Sequence, residues 1–146
     1  MRSKAAAASS IPIRCPGCTR WLARDQGDHI CIPPTEKEVM GHLTGDLRDA
    51  WLKLREVAAN LGEQRIYASA KAVMFSRSTC YFFARPKKAS LELCIFLAGE
   101  VDHPTIKSSK PVSKQKIAHT VLVQHEDQIE APLTEWLQMA WQQTPP

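Results

Sequence analysis

No run of about 18 consecutive apolar residues occurs in this 146-residue chain, so the sequence offers no membrane-spanning helix. The opening Met1-Arg2-Ser3-Lys4 and the four alanines after it are too short and too weakly apolar for the core of a secretory signal, which points to a cytoplasmic protein. Several enzymatic fingerprints are missing as well: no phosphate-binding loop, no dinucleotide-binding glycine pattern and no nucleophile elbow. Acidic residues are scarce where the chain reads as strands. Glu92, Glu100 and Asp102 are the only ones there, whereas a magnesium-dependent nuclease needs clustered carboxylates around its metal. Each end of the chain also lacks one sign of charge. Residues 1–24 hold five basic side chains and no acidic one, and residues 117–146 hold four acidic and no basic.

Between these ends the signs alternate again. Residues 25–64 carry four basic against eight acidic side chains, and residues 65–116 carry ten basic against three acidic. The net charge of +4 is modest, but its concentration in the N-terminal segment and the middle of the chain suits an anionic partner.

The densest chemistry lies near the N-terminus. Cys15-Pro16-Gly17-Cys18 is followed ten residues later by His29-Ile30-Cys31, a C-x2-C-x10-H-x-C pattern. Structural zinc takes four Cys or His ligands tetrahedrally, and Pro-Gly between two cysteines bends the backbone so that both thiolates reach one ion. Cys15, Cys18, His29 and Cys31 are therefore the expected Zn²⁺ ligands. Asp28 is an alternative fourth ligand, although the imidazole of His29 suits zinc better. With four protein ligands no position stays open for water, so a structural role is expected rather than hydrolysis. A disulfide framework fits less well, because the closely spaced cysteines fall in the metal pattern and no secretion signal accompanies them. Cys80 and Cys94 remain as lone thiols inside apolar strands.

The chain divides into a flexible leader at 1–13, a zinc knuckle at 14–32 and an α+β domain at 35–143. Thr35-Glu36-Lys37-Glu38 is a capping box and predicts a short helix over about 36–43, ended by a left-handed Gly45. Leu47, Trp51, Leu54, Ala58 and Leu61 fall on one helical stripe that stops at Gly62. The period then changes to that of strands at 72–76, 79–84, 91–97 and 117–123. Strict alternation puts Leu91, Leu93, Ile95 and Leu97 on one face, whereas the Tyr81-Phe82-Phe83 run is apolar on both faces and predicts cover on both. Residues 99–115 read as a polar, mobile loop. Ile129, Leu133, Trp136, Leu137, Ala140 and Trp141 predict a last helix starting between about 128 and 131, with Pro132 in its first turn. The expected architecture is an antiparallel sheet of about four strands flanked in sequence by helices, forming a two-layer α+β domain behind the knuckle.

The knuckle, a short helix containing His42, and the segments Lys71-Ala-Val-Met-Phe75, Phe83-Ala-Arg-Pro-Lys87-Lys88, Leu91-Glu-Leu93, His103-Pro104 and Trp136-Leu-Gln-Met-Ala140-Trp141 together resemble uncharacterised bacterial proteins carrying the domain of unknown function 5655. The resemblance covers nearly all of the chain after residue 13. It implies a cytoplasmic bacterial protein of this architecture with no assigned activity, some larger relatives having been described as transport-like or endonuclease-like. The chain departs from the pattern at Thr19, where a glycine is usual, and at Ala118, where relatives often pair a second histidine with the counterpart of His119.

Lys71, Arg77, Arg85, Lys87, Lys88, Lys107, Lys110, Lys114 and Lys116 fall at strand ends or in connections, so several are candidates to share one rim of the sheet. With Arg20 and Trp21 on the knuckle they offer a basic surface with an aromatic, as nucleic-acid recognition requires. His119 lies mid-strand beside Val121 and Val123, which reads first as a satisfied, partly buried histidine, the competing reading being that it joins these cations through a concave pocket with Lys71 and Arg85. The competing account is a solvated rim of charge that keeps the sheet from pairing edge to edge. The sequence thus predicts a non-enzymatic zinc-binding module that recognises an anionic partner such as nucleic acid. The alternatives are a protein-interaction module docking through the knuckle, or a nuclease-like or small-ligand-binding domain.

Overall fold

The computed structural model describes residues 34–146 and, nearer the N-terminus, the backbone of two short strands, β1 (Ile13–Arg14) and β2 (Trp21–Leu22). These pair antiparallel, Ile13 opposite Leu22 and Arg14 opposite Trp21, as a two-stranded sheet of their own. The leader before residue 13, and Cys15, Cys18, Arg20, His29 and Cys31 of the expected knuckle, lie outside the described residues.

The capping box forms as the sequence requires. Thr35 Oγ1 accepts the Glu38 amide at 3.1 Å and Glu38 Oε1 accepts the Thr35 amide at 2.9 Å, satisfying two of the amides that a helix start leaves unpaired. The helix they open, α1 (Glu36–Met40), is shorter than expected: the Gly41 amide closes it on the Lys37 carbonyl at 2.7 Å, and His42 lies in the turn beyond. Gly45 does take a left-handed φ of 57°, but as the first residue of α2 (Gly45–Ala59) rather than as a stop for α1. Along α2, Trp51, Leu54 and Ala58 are buried, with Leu47 and Leu61 packed against the same core. Arg55 of α2 grips Glu36 of α1 with two bonds, Nε to Oε1 at 2.6 Å and Nη2 to Oε2 at 3.0 Å.

Six strands follow: β3 (Arg65–Ser69), β4 (Ala72–Ser76), β5 (Cys80–Pro86), β6 (Leu91–Leu97), β7 (Ile106–Pro111) and β8 (Ile117–Val123). They make one antiparallel sheet in the order β3-β4-β5-β6-β8-β7. This overturns the expected α+β domain on about four strands. The sheet has six, helices are few, and the described domain is mostly β. The two strands missed by the sequence pattern, β3 and β7, are the edges. Neither contains a buried residue, because an edge strand pairs on one side only, and what they add to the core is partly buried, Ile66 and Ala68 from β3 and Ile106 from β7. The polar stretch expected as a mobile loop at 99–115 therefore contains β7.

One face of the sheet is covered. Val73, Phe75, Phe82, Ala84, Leu91, Leu93, Ile95, Val121 and Val123 all point to it by register and are fully or almost fully buried. Phe75 stacks on Phe82 at 4.2 Å between ring centroids and meets the edge of Trp51 from α2 at 6.1 Å. A 3₁₀ turn (Glu126–Gln128) leads to the last helix, α3 (Leu133–Gln143), which packs on β5 and β6. It begins later than expected. Pro132 stands just before its first residue and lends its carbonyl to the Trp136 amide at 3.0 Å, a position where the missing N–H of proline costs nothing. Among the described residues no helix is long and apolar enough to cross a membrane.

Candidate functional site

The opposite face of the sheet carries no helix among the described residues. Pairing runs Tyr67 to Met74, Met74 to Phe83, Phe83 to Cys94, Cys94 to Thr120 and Thr120 to Ser108, one row across all six strands. Arg85, Glu92 and Leu122 form part of the next row on one side, and Phe96, Ala118 and Lys110 part of the next on the other. From β4 to β8 these side chains are only half-buried, apart from the small Ala72 at the β3–β4 turn and Ser76 at the β-bulge, while Tyr67 is 39% exposed. Cover on both faces of the Tyr81-Phe82-Phe83 run does not follow: Tyr81 and Phe82 are fully buried, but Phe83 lies on the open face.

At the end of this face where β4 begins and β5 ends lies a cleft of about 590 Å³ lined by Ser69, Lys71, Met74, Phe83, Arg85 and Lys87, together with two alanines. Three of the candidate anion-binding residues, Lys71, Arg85 and Lys87, thus converge. The sheet explains why: Val73 pairs with Ala84, so the two-residue turn holding Lys71 reaches alongside the last residues of β5. The turn is tight enough to hold Ala70 at a φ of 41°. Among the described residues Glu92 is the single acid paired with them, 3.3 Å from Arg85 and 3.8 Å from Lys87. Two of the three cations therefore share one carboxylate, and the cleft keeps a positive excess. The Arg85 guanidinium also lies 5.2 Å from the Phe83 ring, a cation–π distance.

The remaining candidates are placed elsewhere. Lys88 lines an adjoining cleft of about 510 Å³ with His42, Thr44, Leu47 and Pro86, and Lys87 belongs to both. Lys116 lies at the other end of β5, about 20 Å away by the rise of a seven-residue strand. There its Nζ bonds Thr79 Oγ1 at 2.9 Å and faces the Phe96 ring at 6.0 Å. Lys114 is exposed in the turn between β7 and β8. The single rim suggested by the sequence is therefore two basic ends joined by an aromatic face.

His119 does not join them. It is 1% exposed on the helix-covered face, where Nδ1–H donates to the Ile117 carbonyl at 3.0 Å and Nε2 accepts the Val101 amide at 3.0 Å. Those partners define one neutral tautomer and give the ring a structural task, holding the segment after β6 against β8. The expected pocket of His119 with Lys71 and Arg85 is not formed, because alternation puts His119 on the wrong side of the sheet. Arg77 is also committed: Nη1 donates to the Trp141 and Thr144 carbonyls at 3.1 and 2.8 Å, and its guanidinium lies 3.9 Å over the Trp141 ring. It thereby neutralises the negative C-terminal end of α3. Trp21 is described only as backbone in β2.

Phe83, Phe96 and Glu92 belong to this face and bear on its chemistry, and they were not among the sequence candidates. Their signal was parity: in β6 the apolar face holds the odd positions, so Glu92, Cys94 and Phe96 turn to the other side. Cys94 sits there beneath its neighbours, and burial, reinforced by the nearby Cys80 and Glu92, pushes its thiol up to about 11. Burial also raises Cys80. Both stay protonated at neutral pH, which does not suit a nucleophile. Among the described residues no three His, Cys, Asp or Glu side chains group as metal ligands would.

Neither a curated protein nor a solved structure matches the chain. A family does: the domain of unknown function 5655 (DUF5655) matches residues 38–144, from α1 through the end of α3. That span contains the whole six-stranded sheet and both basic ends of its open face, and the chain belongs to the DUF5655 family.

Proposed function

We propose that this protein is a non-enzymatic, zinc-binding module of the bacterial cytoplasm that recognises an anionic partner, namely nucleic acid, with the open face of its sheet. The observation that carries this is the convergence of Lys71, Arg85 and Lys87 on one cleft with only Glu92 opposing them. Phosphates are the natural occupants of such a cleft: flexible lysines supply point charge and arginine supplies a planar fork. Cys15, Cys18, His29 and Cys31 would hold Zn²⁺ in a closed, structural set that keeps the knuckle ordered. The pairing of β1 with β2, which flank Cys15 and Cys18 in sequence, supports such a module, and Arg20 and Trp21 are proposed as additional contacts.

The test is a fluorescence-anisotropy titration of the full chain with labelled oligonucleotides at several salt concentrations. Three phosphate contacts give a slope of log affinity against log salt of about −2 on single strands. The double substitution Lys71→Glu with Lys87→Glu, at two exposed positions, is expected to abolish most binding without lowering the melting temperature. Unchanged affinity in that variant, or affinity insensitive to salt, refutes the proposal, and salt-insensitive binding to a protein would favour docking instead.

A further inference from the structure

The basic cleft occupies only one end of the open face, and the rest of that face has its own pattern. The Arg85 guanidinium lies 5.2 Å from the Phe83 ring, Phe83 lies 6.1 Å from Phe96, and Lys116 Nζ lies 6.0 Å from the Phe96 ring. These four side chains form a diagonal track across β5 and β6, cation, ring, ring, cation. The two rings are inclined by 52°, so they do not stack on each other, and a cation approaches each ring from its own end of the track. Both are half-buried on a face without a helix among the described residues. Aromatic rings left half-open on such a face are available for a planar ligand to stack on.

Resting on the nucleic-acid proposal above, we infer that the ligand is a single strand, lying along this diagonal with consecutive bases stacked on Phe83 and Phe96 and its phosphates held by the Lys71–Arg85–Lys87 cleft at one end and Lys116 at the other. A duplex does not fit the chemistry of the track. Its bases already stack on one another and offer only edges in the grooves, so the rings would be idle, and the open sheet presents no helix for a major groove. An apolar protein partner fits the rings but not the cations: Lys71, Arg85 and Lys87 gather at one end and Lys116 lies at the other, and among the described residues Glu92 is the one carboxylate paired with any of them, through Arg85 and Lys87. Stacking also explains why the track needs no hydrogen-bonding specificity, since every base has a π face.

The experiment compares the full chain with Phe83→Leu/Phe96→Leu and with Phe83→Tyr/Phe96→Tyr. Leucine keeps apolar cover on the sheet but removes the π surface, whereas tyrosine keeps the ring. The probes are a labelled 12-nucleotide oligo-uridine, an oligo-thymidine of the same length and a 12-base-pair duplex, each at low and moderate salt. The expected result is at least tenfold preference for the single strands, a loss of tenfold or more per ring in the leucine variant, and near-normal affinity in the tyrosine variant, with the salt slope unchanged in both. The tyrosine variant also guards against misfolding, because it preserves packing. Equal affinity for single strand and duplex that the leucine variant leaves intact overturns the stacking inference while the anionic-partner proposal stands. Absence of binding to all three probes at low salt overturns both. Sedimentation of the chain as a dimer that the leucine variant dissociates would assign the face to a second copy and likewise overturn the inference.

Discussion

At the scale of single residues, the polar side chains of this domain divide sharply by the face they occupy. His119 and Arg77 are consumed by backbone groups, one clasping Val101 and Ile117 and the other closing the end of α3. Lys71 and Lys87 are exposed and have at most one weakly placed carboxylate nearby. Cys94 provides a titration that reports on the open face. Its thiol is raised from 9.0 to about 11, chiefly by burial. The folded chain therefore keeps a proton that the unfolded chain releases once pH passes about 9. The contribution is constant at lower pH, and stability falls as pH climbs from about 9 through about 11. Urea midpoints at pH 8, 9, 10 and 11 are expected to decline more shallowly in Cys94→Ala than in the native chain. Parallel profiles for the two proteins would show that Cys94 titrates normally.

Among the elements, the helices are set by local chemistry and the edge strands are not. The capping box at Thr35 is a local device, complete within four residues, and the sequence alone makes it legible. Thr35→Ala is expected to lower the unfolding free energy by about 1 kcal/mol, and Thr35→Ser to restore it, as read from urea denaturation. Four of the six strands are equally legible, because β4, β5, β6 and β8 each bury at least one face and write it as apolar runs or alternation. β3 and β7 are not, since they offer the core only the partly buried Ile66, Ala68 and Ile106 and depend on ladders to β4 and β8 that lie outside their own sequence. The short α1 shows the same limit in reverse: a helical pattern continues past Gly41, but the chain has already turned. Gly62 has a φ of 146° and lies so close to the Trp141 ring that no Cβ fits between them, a constraint imposed by α3 from far along the chain.

For the whole molecule, charge and architecture are arranged separately. Among the described residues the core is drawn from positions between Val39 and Ala140, and β1 and β2 pair with each other rather than with the six-stranded sheet. On the proposed zinc site, treatment with a chelator is expected to release one metal ion per chain, measured by elemental analysis, while the thermal transition of the six-stranded domain stays within a few degrees. Loss of the whole β-sheet signal on chelation would show that the knuckle holds the domain together. The sequence alone determined the helix stripe of Trp51, Leu54 and Ala58, the alternation of Leu91 to Leu97, the capping box and the basic character of residues 65–116, because each depends on neighbours a few positions away. It could also name Lys71, Arg85 and Lys87 as candidates for anion binding. Only the tertiary structure decided that these three meet while Lys116 lies at the far end and His119 faces the core. Strand order, register and the parity of each strand are properties of partners distant in sequence, and a shift of one residue would exchange the two faces.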